Sequence, residues 1–265
     1  GFAVALHGTG GSIGETTAPI LVGAIIKYTP LIWSSVLQIS LLPAVIFGIF
    51  MYLLLKNIPQ QVTSENLTFA KFVSGVGGLF KNKKLLIVLL IAAGFAGGQG
   101  TVLTFLPIYM DENLGFSPLR MGIYLALANV GGMIAQPMMG YLSDKYNRKL
   151  ILAPSLTILG ISYICLLTPN IILFTIVIII MGIFLFPMMA ILIVSATDLV
   201  ESNIQGTTVA LVFAAVTIFS SFIPSLAGVL ADTDIKYAFI LASGVGVFGG
   251  LLAFIGNWTV PKGLN

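Results

Sequence analysis

The sequence has few charged residues, one cysteine and one histidine. Charged side chains make up 8% of its 265 residues, whereas 58% of the residues are hydrophobic. A soluble domain has roughly 45–50% apolar residues, so this composition excludes an ordinary soluble domain. The single cysteine, Cys165, excludes an intrachain disulfide framework or a cysteine metal site. The basic residues form no face interleaved with aromatics, so nothing supports nucleic-acid binding.

Long hydrophobic segments fill most of the chain, and the mean hydropathy is +1.08. A membrane-spanning helix needs about 20 mainly apolar residues. Segments of that length occur at 2–26, 31–55, 85–110, 121–142, 150–167, 171–197, 207–231 and 237–258. The sequence therefore predicts an all-α polytopic membrane protein with about eight transmembrane helices in a lipid bilayer. No basic region precedes the first segment, so we do not interpret it as a signal peptide.

Lysines and arginines are distributed unequally between the two sides that these eight segments imply. One side carries Lys56, Lys71, Lys81, Lys83, Lys84, Lys145, Arg148, Lys149 and Lys262. The other side carries Lys27, Arg120 and Lys236. Because cytoplasmic loops are enriched in lysine and arginine, we expect both termini to be cytoplasmic and the membrane to be the plasma membrane. The loop between the second and third segments also has helical spacing of apolar residues around Phe69 to Phe80, which predicts an interfacial helix.

A charged segment at residues 140–149, which we call the hinge loop, separates two of the apolar segments. Its defining residues are Gly140, Asp144, Lys145, Asn147, Arg148 and Lys149. They resemble the signature loop of major facilitator superfamily (MFS) transporters, Gly-x-x-x-Asp-Arg/Lys-x-Gly-Arg/Lys-Arg/Lys. Asn147 stands where that pattern has glycine, and asparagine reaches left-handed backbone conformations more readily than most residues. The resemblance implies a gating role, in which Asp144 latches the cytoplasmic ends of two helix bundles.

An internal repeat supports a duplicated architecture. Pro19 and Gly23 recur with the same spacing as Pro224 and Gly228, at an offset of 224 − 19 = 205 residues. The chain therefore resembles the fifth to twelfth helices of a twelve-helix MFS carrier, an N-terminally truncated MFS-type bundle. On this interpretation residues 1–56 are the last two helices of one bundle, 57–84 are a cytoplasmic linker, and 85–265 are a six-helix bundle.

The segment from Gly14 to Gly23 is similar to a glycine- and proline-rich pattern of MFS drug/proton antiporters, although Ala18 and Val22 replace two glycines. Pro19 cannot donate a hydrogen bond to the carbonyl of Glu15, so we expect a bend there. Glycine favours close helix packing, as do the small-residue pairs Ala93/Gly97, Gly94/Gly98, Ala128/Gly132 and Gly246/Gly250. A general packing kink, without antiport, remains the alternative.

Five polar residues at membrane depth are candidates for binding a proton or the solute: Glu15, His7, Gln99, Asn129 and Gln136. A carboxylate in lipid is costly, so we expect Glu15 to face the protein interior and to bind a proton or a cationic solute, with His7 as a second titratable group. The alternative for Glu15 is a carboxyl group hydrogen-bonded to another helix. The three amides either bond across helices or line a cavity. Asp198 and Glu201 are expected to pair with cations of the hinge loop.

These patterns favour a secondary carrier that moves a small organic solute by alternating access. Proton-coupled efflux is the favoured subclass, with uptake by symport or uniport as its alternative. A truncated remnant without transport activity, or an assembly partner, is a further alternative. An intramembrane enzyme would need a catalytic constellation, and with one histidine, one cysteine and no His-Glu-x-x-His motif we expect no enzyme, no metal and no cofactor.

Overall fold

A computed structural model describes residues 2–57 and 77–258, and for residues 2–10, 12, 13 and 203 it describes the backbone only. The predicted interfacial helix and Lys262 lie wholly or largely outside these residues. Nine α-helices are found in the described part of the chain. They are α1 Phe2–Tyr28, α2 Trp33–Leu55, α3 Lys83–Glu112, α4 Pro118–Lys145, α5 Arg148–Cys165, α6 Ile171–Leu185, α7 Met188–Thr197, α8 Gln205–Ala231 and α9 Lys236–Ile255.

Polar side chains determine where several helices begin. Asn82, Ser117, Asn147 and Asn170 each accept hydrogen bonds from backbone N–H groups of the first turn of α3, α4, α5 and α6. The turn between α3 and α4 contains Gly115 with φ +62°, the left-handed conformation that glycine adopts most easily. The ends of the spans are therefore encoded locally, in residues that differ sharply from the apolar segments around them.

Seven spans in the described residues are long and apolar enough to cross a membrane, with α6 and α7 together forming one of them. Helix α1 is not among the seven, although it is 27 residues long and coincides with the first predicted segment. It contains a histidine, a glutamate and several threonines and glycines, which lower its mean hydropathy. The predicted segment at 2–26 therefore corresponds to a long helix whose composition is more polar than that of the seven spans.

The helices form a bundle in which α4 and α9 each pack along two other helices. Helix α4 packs along α1 on one side and α6 on the other, while α9 packs against α5 and α3 and α3 packs against α8. The largest fully buried side chains include Tyr163, Phe174 and Phe239. Helix α2 makes few contacts with α1, and 6% of its most apolar window is buried. An apolar surface of this kind is suited to lipid.

Glycine backbones form the contacts between the packed helices. A Cβ atom built on Gly94 would lie 3.0 Å from the Cα atom of Gly249, and one built on Gly246 would lie 3.0 Å from the Cα atom of Gly160. One on Gly182 would collide with the carbonyl group of Ala128. Lipid provides no hydrophobic drive for helix association, so such close approach supplies the van der Waals contact. The predicted close packing at the small-residue pairs is confirmed here for Gly94 and Gly246.

Pro187 divides the span from 171 to 197 into α6 and α7. Helix α6 ends at Leu185 and α7 begins at Met188. Proline has no backbone N–H and its ring clashes with the preceding turn, which accounts for the break. Met188 is fully buried, so it belongs to the packed core rather than to an adaptable ligand surface.

We predict that Gly182→Ala lowers the melting temperature of the detergent-solubilised protein by at least several °C, because overpacking a tight interface costs about 1–3 kcal/mol. The matched control is Gly244→Ala in α9, where an added Cβ meets no atom within 4 Å. That control should be neutral or slightly stabilising, since alanine is the better helix former. Equal melting temperatures for the two variants, measured by differential scanning fluorimetry, would contradict the packing model.

Candidate functional site

The hinge loop lies where α4 ends and α5 begins, and it contains a three-residue ionic cluster. Asp144 is in the last turn of α4, and its Oδ1 atom accepts a hydrogen bond from Nη1 of Arg148 at 2.9 Å. The Nε atom of Arg148 bonds Oδ2 of Asp198, which directly follows α7. Arg148 thus joins α4 to the end of α7, as expected for a pair between Asp198 and the hinge loop. The three side chains are 20–45% exposed, so water screens their attraction.

Asn147 stands where the MFS pattern has glycine, but its backbone is not in the left-handed conformation. Its φ of −152° and ψ of 133° are extended, and its Oδ1 atom accepts a hydrogen bond from the N–H of Lys149 at 2.9 Å. Asparagine is among the best N-cap residues. The physical reason for asparagine here is therefore capping of α5, not access to a positive φ.

The end of α7 is also held by the start of α3. The Nδ2 atom of Asn82 donates to the carbonyl of Leu199 at 3.1 Å, while its Oδ1 atom caps α3. The Nζ atom of Lys149 donates to the carbonyl of Gly256, just past the end of α9, at 2.8 Å. Asp198 therefore bonds a residue at the start of α5, and the next residue, Leu199, bonds a residue at the start of α3. We call this end of the bundle the basic end, because Lys81, Lys83, Lys84, Lys145, Arg148 and Lys149 gather there.

The opposite end is joined by aromatic side chains. Phe116 packs edge-to-face on Phe174 with ring centroids 6.0 Å apart, and Tyr124 bonds the hydroxyl of Thr175 at 3.1 Å. The guanidinium carbon of Arg120 lies 4.0 Å from the centroid of the Phe116 ring, a cation–π geometry. These contacts hold the start of α4 against the start of α6. These contacts could not be predicted from the sequence, because isolated aromatic residues form no recognisable motif.

Pro19 and two glycines bring α1 onto α4. A Cβ built on Gly23 would lie 2.5 Å from the carbonyl oxygen of Pro118, and one on Gly122 would collide with the carbonyl of Pro19. Between these contacts and the other end of α1, Nδ2 of Asn129 donates to the carbonyl oxygen of Glu15 at 3.2 Å. Asn129 also donates to its own helix at Leu125, at 3.0 Å. The polar group at membrane depth thus bridges two helices.

Gln136 lies seven residues after Asn129 on α4 and bridges in a similar way. Its Nε2 atom donates to the carbonyl of Phe186, at the break between α6 and α7, at 3.3 Å. Both amides are buried, and among the described residues Asn129 Oδ1 and Gln136 Oε1 have no hydrogen-bond partner. An unsatisfied buried acceptor costs roughly 1–3 kcal/mol. The two oxygens therefore retain hydrogen-bonding capacity at the contacts of α4 with α1 and with the α6–α7 break.

The remaining candidates are dispersed. Glu15 is exposed in the described part of the chain, whereas we expected it to face the protein interior; its backbone, not its carboxyl group, contacts α4. The side chain of His7 lies outside the described residues. Gln99 is half-buried in α3, and the glycines around it serve close packing, since a Cβ on Gly100 would lie 2.5 Å from the carbonyl of Ser220.

The repeated proline–glycine elements differ in their packing. An added Cβ at Gly14 meets nothing within 4 Å, so the close approach expected there is not found, and at Gly228 the nearest atom is Cζ of Phe105 at 3.9 Å. Only Gly23 of these three glycines is in tight contact with another helix. The reason is that α1 meets α4 most closely from Pro19 onward. Asn82 was also missed, although an asparagine directly before a long apolar segment is a recognisable capping signal.

Comparison with known proteins agrees with this architecture. The sequence matches the profile of the Major Facilitator Superfamily over residues 1–135 and 88–263. The protein YdfJ of Escherichia coli (strain K12), described as a transporter, is 29% identical over 107 residues, covering 40% of this chain and 25% of YdfJ. The class H tetracycline resistance protein of Pasteurella multocida is 38% identical over 85 residues, covering 31% of this chain and 21% of that protein.

A solved structure has the same fold. The crystal structure of a bacterial homologue of the iron transporter ferroportin, in an inward-facing state, superposes with a TM-score of 0.68 at 18% identity. It covers 91% of this chain and 59% of that chain, so this chain spans a little over half of that structure and the matched segments span about a quarter or less of the two curated relatives. The fold is that of a multi-pass membrane transporter. The chain belongs to the Major Facilitator Superfamily.

We predict that Asn82→Asp lowers the melting temperature by about 2–4 °C, because aspartate keeps the N-cap but cannot donate to Leu199. The matched control is Asn170→Asp in α6. Asn170 caps two backbone N–H groups in the same way, and both groups belong to the helix that it caps. The control should melt within about 1 °C of the unmodified protein. If both variants lose the same stability, the bond from Asn82 to Leu199 contributes nothing.

Proposed function

We propose that this chain is part of a secondary carrier that moves a small organic solute across the plasma membrane by alternating access, with proton-coupled efflux as its direction. The observation that carries the proposal is the junction of α1, α4 and the α6–α7 break, where the buried amides of Asn129 and Gln136 keep unpartnered oxygens among the described residues. In transporters built from repeats, sites near the bilayer midplane at the repeat interface bind the solute. Asn129 and Gln136 lie near the middle of the 28-residue α4.

The proposed division of the chain is supported by the internal repeat. Residues 1–56 would be the end of one bundle, 57–84 the linker and 85–265 the second bundle. The interface between α1 and α4 would then be a contact between two bundles rather than within one. A polar seam on such an interface is exposed to solute when the bundles rock apart.

The free oxygens indicate the chemistry of the solute. Asn129 donates two hydrogen bonds and Gln136 one hydrogen bond to backbone carbonyls, whereas both amide oxygens lack a partner among the described residues. The complementary solute carries O–H or N–H donors. Gln99, Glu15 and His7 remain candidates for contacting the same solute or its coupling proton.

The subclass rests on three observations. The partial likeness of residues 14–23 to the antiporter pattern, together with the tetracycline resistance relative, supports efflux and supports tetracycline as a first probe. The acidic residue in α1 supports proton coupling. Uptake by symport or uniport uses the same fold and remains the second candidate, favoured by the incomplete glycine pattern at Ala18 and Val22.

The proposed orientation places the basic end in the cytoplasm. Six described cations gather there, and the opposite end carries Lys27, Arg120 and Lys236. Cytoplasmic loops carry such an excess of lysine and arginine. Both termini would then be cytoplasmic, and the ionic cluster of the hinge loop would lie at the cytoplasmic gate.

We predict that Glu15→Gln reduces solute movement driven by an imposed pH gradient at least about tenfold, because glutamine cannot carry the proton. The measurement is tetracycline transport by proteoliposomes with and without the gradient. Solute exchange at equal pH should be retained, since that reaction requires no net proton transfer.

The matched control for this prediction is Glu112→Gln, an exposed carboxylate in the last turn of α3. Its pH-driven transport should equal that of the unmodified protein. Unchanged pH-driven transport in Glu15→Gln would remove Glu15 from the coupling mechanism.

We predict that Asp144→Asn slows turnover by up to about fivefold and leaves KM within about twofold. Exposed ion pairs contribute ~0–1 kcal/mol, and about 1.36 kcal/mol corresponds to tenfold in rate. The change weakens the bond from Arg148 to α4 and so shifts the equilibrium between conformations. Asp234→Asn is the control, because Asp234 pairs with Lys236 at 3.6 Å at the opposite end. A rise in KM at normal turnover would place Asp144 in solute binding instead.

A further inference from the structure

We infer that Asn129 is a positioning residue that supplies, from α4, the hydrogen bond that Pro19 removes from α1. In a regular helix the N–H of residue 19 would donate to the carbonyl of Glu15. Proline has no N–H, so that carbonyl needs another donor. The Nδ2 atom of Asn129 lies 3.2 Å from this oxygen. The bond determines where the segment of α1 around Pro19 docks on α4.

The geometry of Asn129 leaves one orientation for its amide group. One N–H is directed to Glu15 of α1 and the other to the carbonyl of Leu125, one turn earlier in α4. Reversing the amide would bring its oxygen against two carbonyl oxygens, so the reversed orientation is electrostatically unfavourable. The second bond thus anchors the side chain and directs it toward α1. A carbonyl group without a hydrogen-bond donor is costly inside a membrane protein. The bond from Asn129 therefore stabilises the contact between α1 and α4.

In the second copy of the repeat, the carbonyl that the proline leaves without a donor has different surroundings. Pro224 in α8 leaves the carbonyl of Ser220 without its helical donor. That carbonyl lies against the backbone of Gly100 in α3, whose added Cβ would come within 2.5 Å of it. The carbonyl freed by Pro224 therefore lies in a close glycine contact. The carbonyl freed by Pro19 instead accepts a directional side-chain bond, which gives α1 a preferred position on α4.

Tight packing around Pro19 makes this bond dependent on the relative position of α1 and α4. Gly122 accommodates the carbonyl of Pro19, and Gly23 rests on Pro118. A separation of the two helices by a few ångströms would break the Asn129 bond, because hydrogen bonds weaken beyond about 3.2 Å. Asn129 therefore favours the conformation in which α1 is docked on α4. This inference stands on these contacts alone and does not require the proposed transport activity.

A double-substitution cycle tests it without any solute. We expect Asn129→Leu to lower the melting temperature of the full chain in detergent by about 2–4 °C. In the Pro19→Ala background, the introduced alanine restores the N–H that bonds Glu15, so the same substitution should lower the melting temperature by less than half as much. Hydrogen exchange in the peptide covering the second half of α1 should rise in Asn129→Leu and return toward normal in the double variant.

The matched control is Gln136→Leu, which removes a neighbouring buried amide whose bond goes to Phe186 instead. It should lose the same stability whether position 19 holds proline or alanine, and it should not change exchange in α1. Asn129→Ala replaces the leucine variant if leucine prevents folding, because its cavity cost is common to both backgrounds. Equal losses for Asn129 variants in the two backgrounds would overturn the inference.

Discussion

Direct contact between helix backbones at glycine residues is the constraint on which the bundle depends. In lipid, burying apolar side chains between helices gains no hydrophobic energy, so association relies on van der Waals contact and hydrogen bonds. Gly94 and Gly249 join α3 to α9, and Gly160 and Gly246 join α5 to α9. Gly182 joins α6 to α4 through the carbonyl of Ala128. Because a methyl group added at Gly160, Gly182 or Gly246 would crowd the facing helix, these contacts also restrict which helices can be neighbours.

Close packing leaves little room for polar groups. The buried amides of α4 form hydrogen bonds where a neighbouring helix contains a proline or is interrupted. Asn129 meets the carbonyl left unpaired by Pro19, and Gln136 meets the carbonyl of Phe186 at the break next to Pro187. Pro19 therefore frees the carbonyl that Asn129 satisfies, whereas Gln136 satisfies a carbonyl at the break between α6 and α7. The same arrangement leaves two amide oxygens unpartnered in the described residues. This connects the mechanics of the bends with the proposed solute junction, because a movement of α1 changes the surroundings of Asn129.

At the basic end, the polar contacts join helix termini rather than helix interiors. Arg148 bonds Asp144 and Asp198, and Asn82 bonds the neighbouring Leu199. Individually such exposed contacts are weak, yet two of them hold consecutive residues after α7. A change at either contact therefore acts on the same short segment. This is a physical basis for a gate, since weak, water-accessible bonds can be broken and re-formed without disturbing the glycine-packed interior.

Some contacts could be predicted from the sequence, and others could not. The pairing of Asp198 with a cation of the hinge loop and the close packing at Gly94 and Gly246 were predicted, since each depends on local chemistry or on short periodicity. The N-cap role of Asn147 was not predicted, because the same residue type favours both left-handed turns and N-caps. The partners of Asn129 and Asn82 were not predicted, because each bond joins residues more than 100 positions apart.

Length, hydropathy and charge in the sequence determined a helical membrane protein, the approximate extent of each span and the resemblance to its family. These properties follow from the thickness of the bilayer and from local capping, which act on consecutive residues. The tertiary structure decided that α1 docks on α4 through Gly23 and Gly122, that Glu15 contributes its backbone carbonyl to this contact, and that Arg148 bridges two aspartates. Each of these depends on which helix faces which, and the pairing of helices is set by the complementary shapes of whole surfaces. The hinge loop was recognisable in the sequence, but only the folded bundle showed which helix ends it joins.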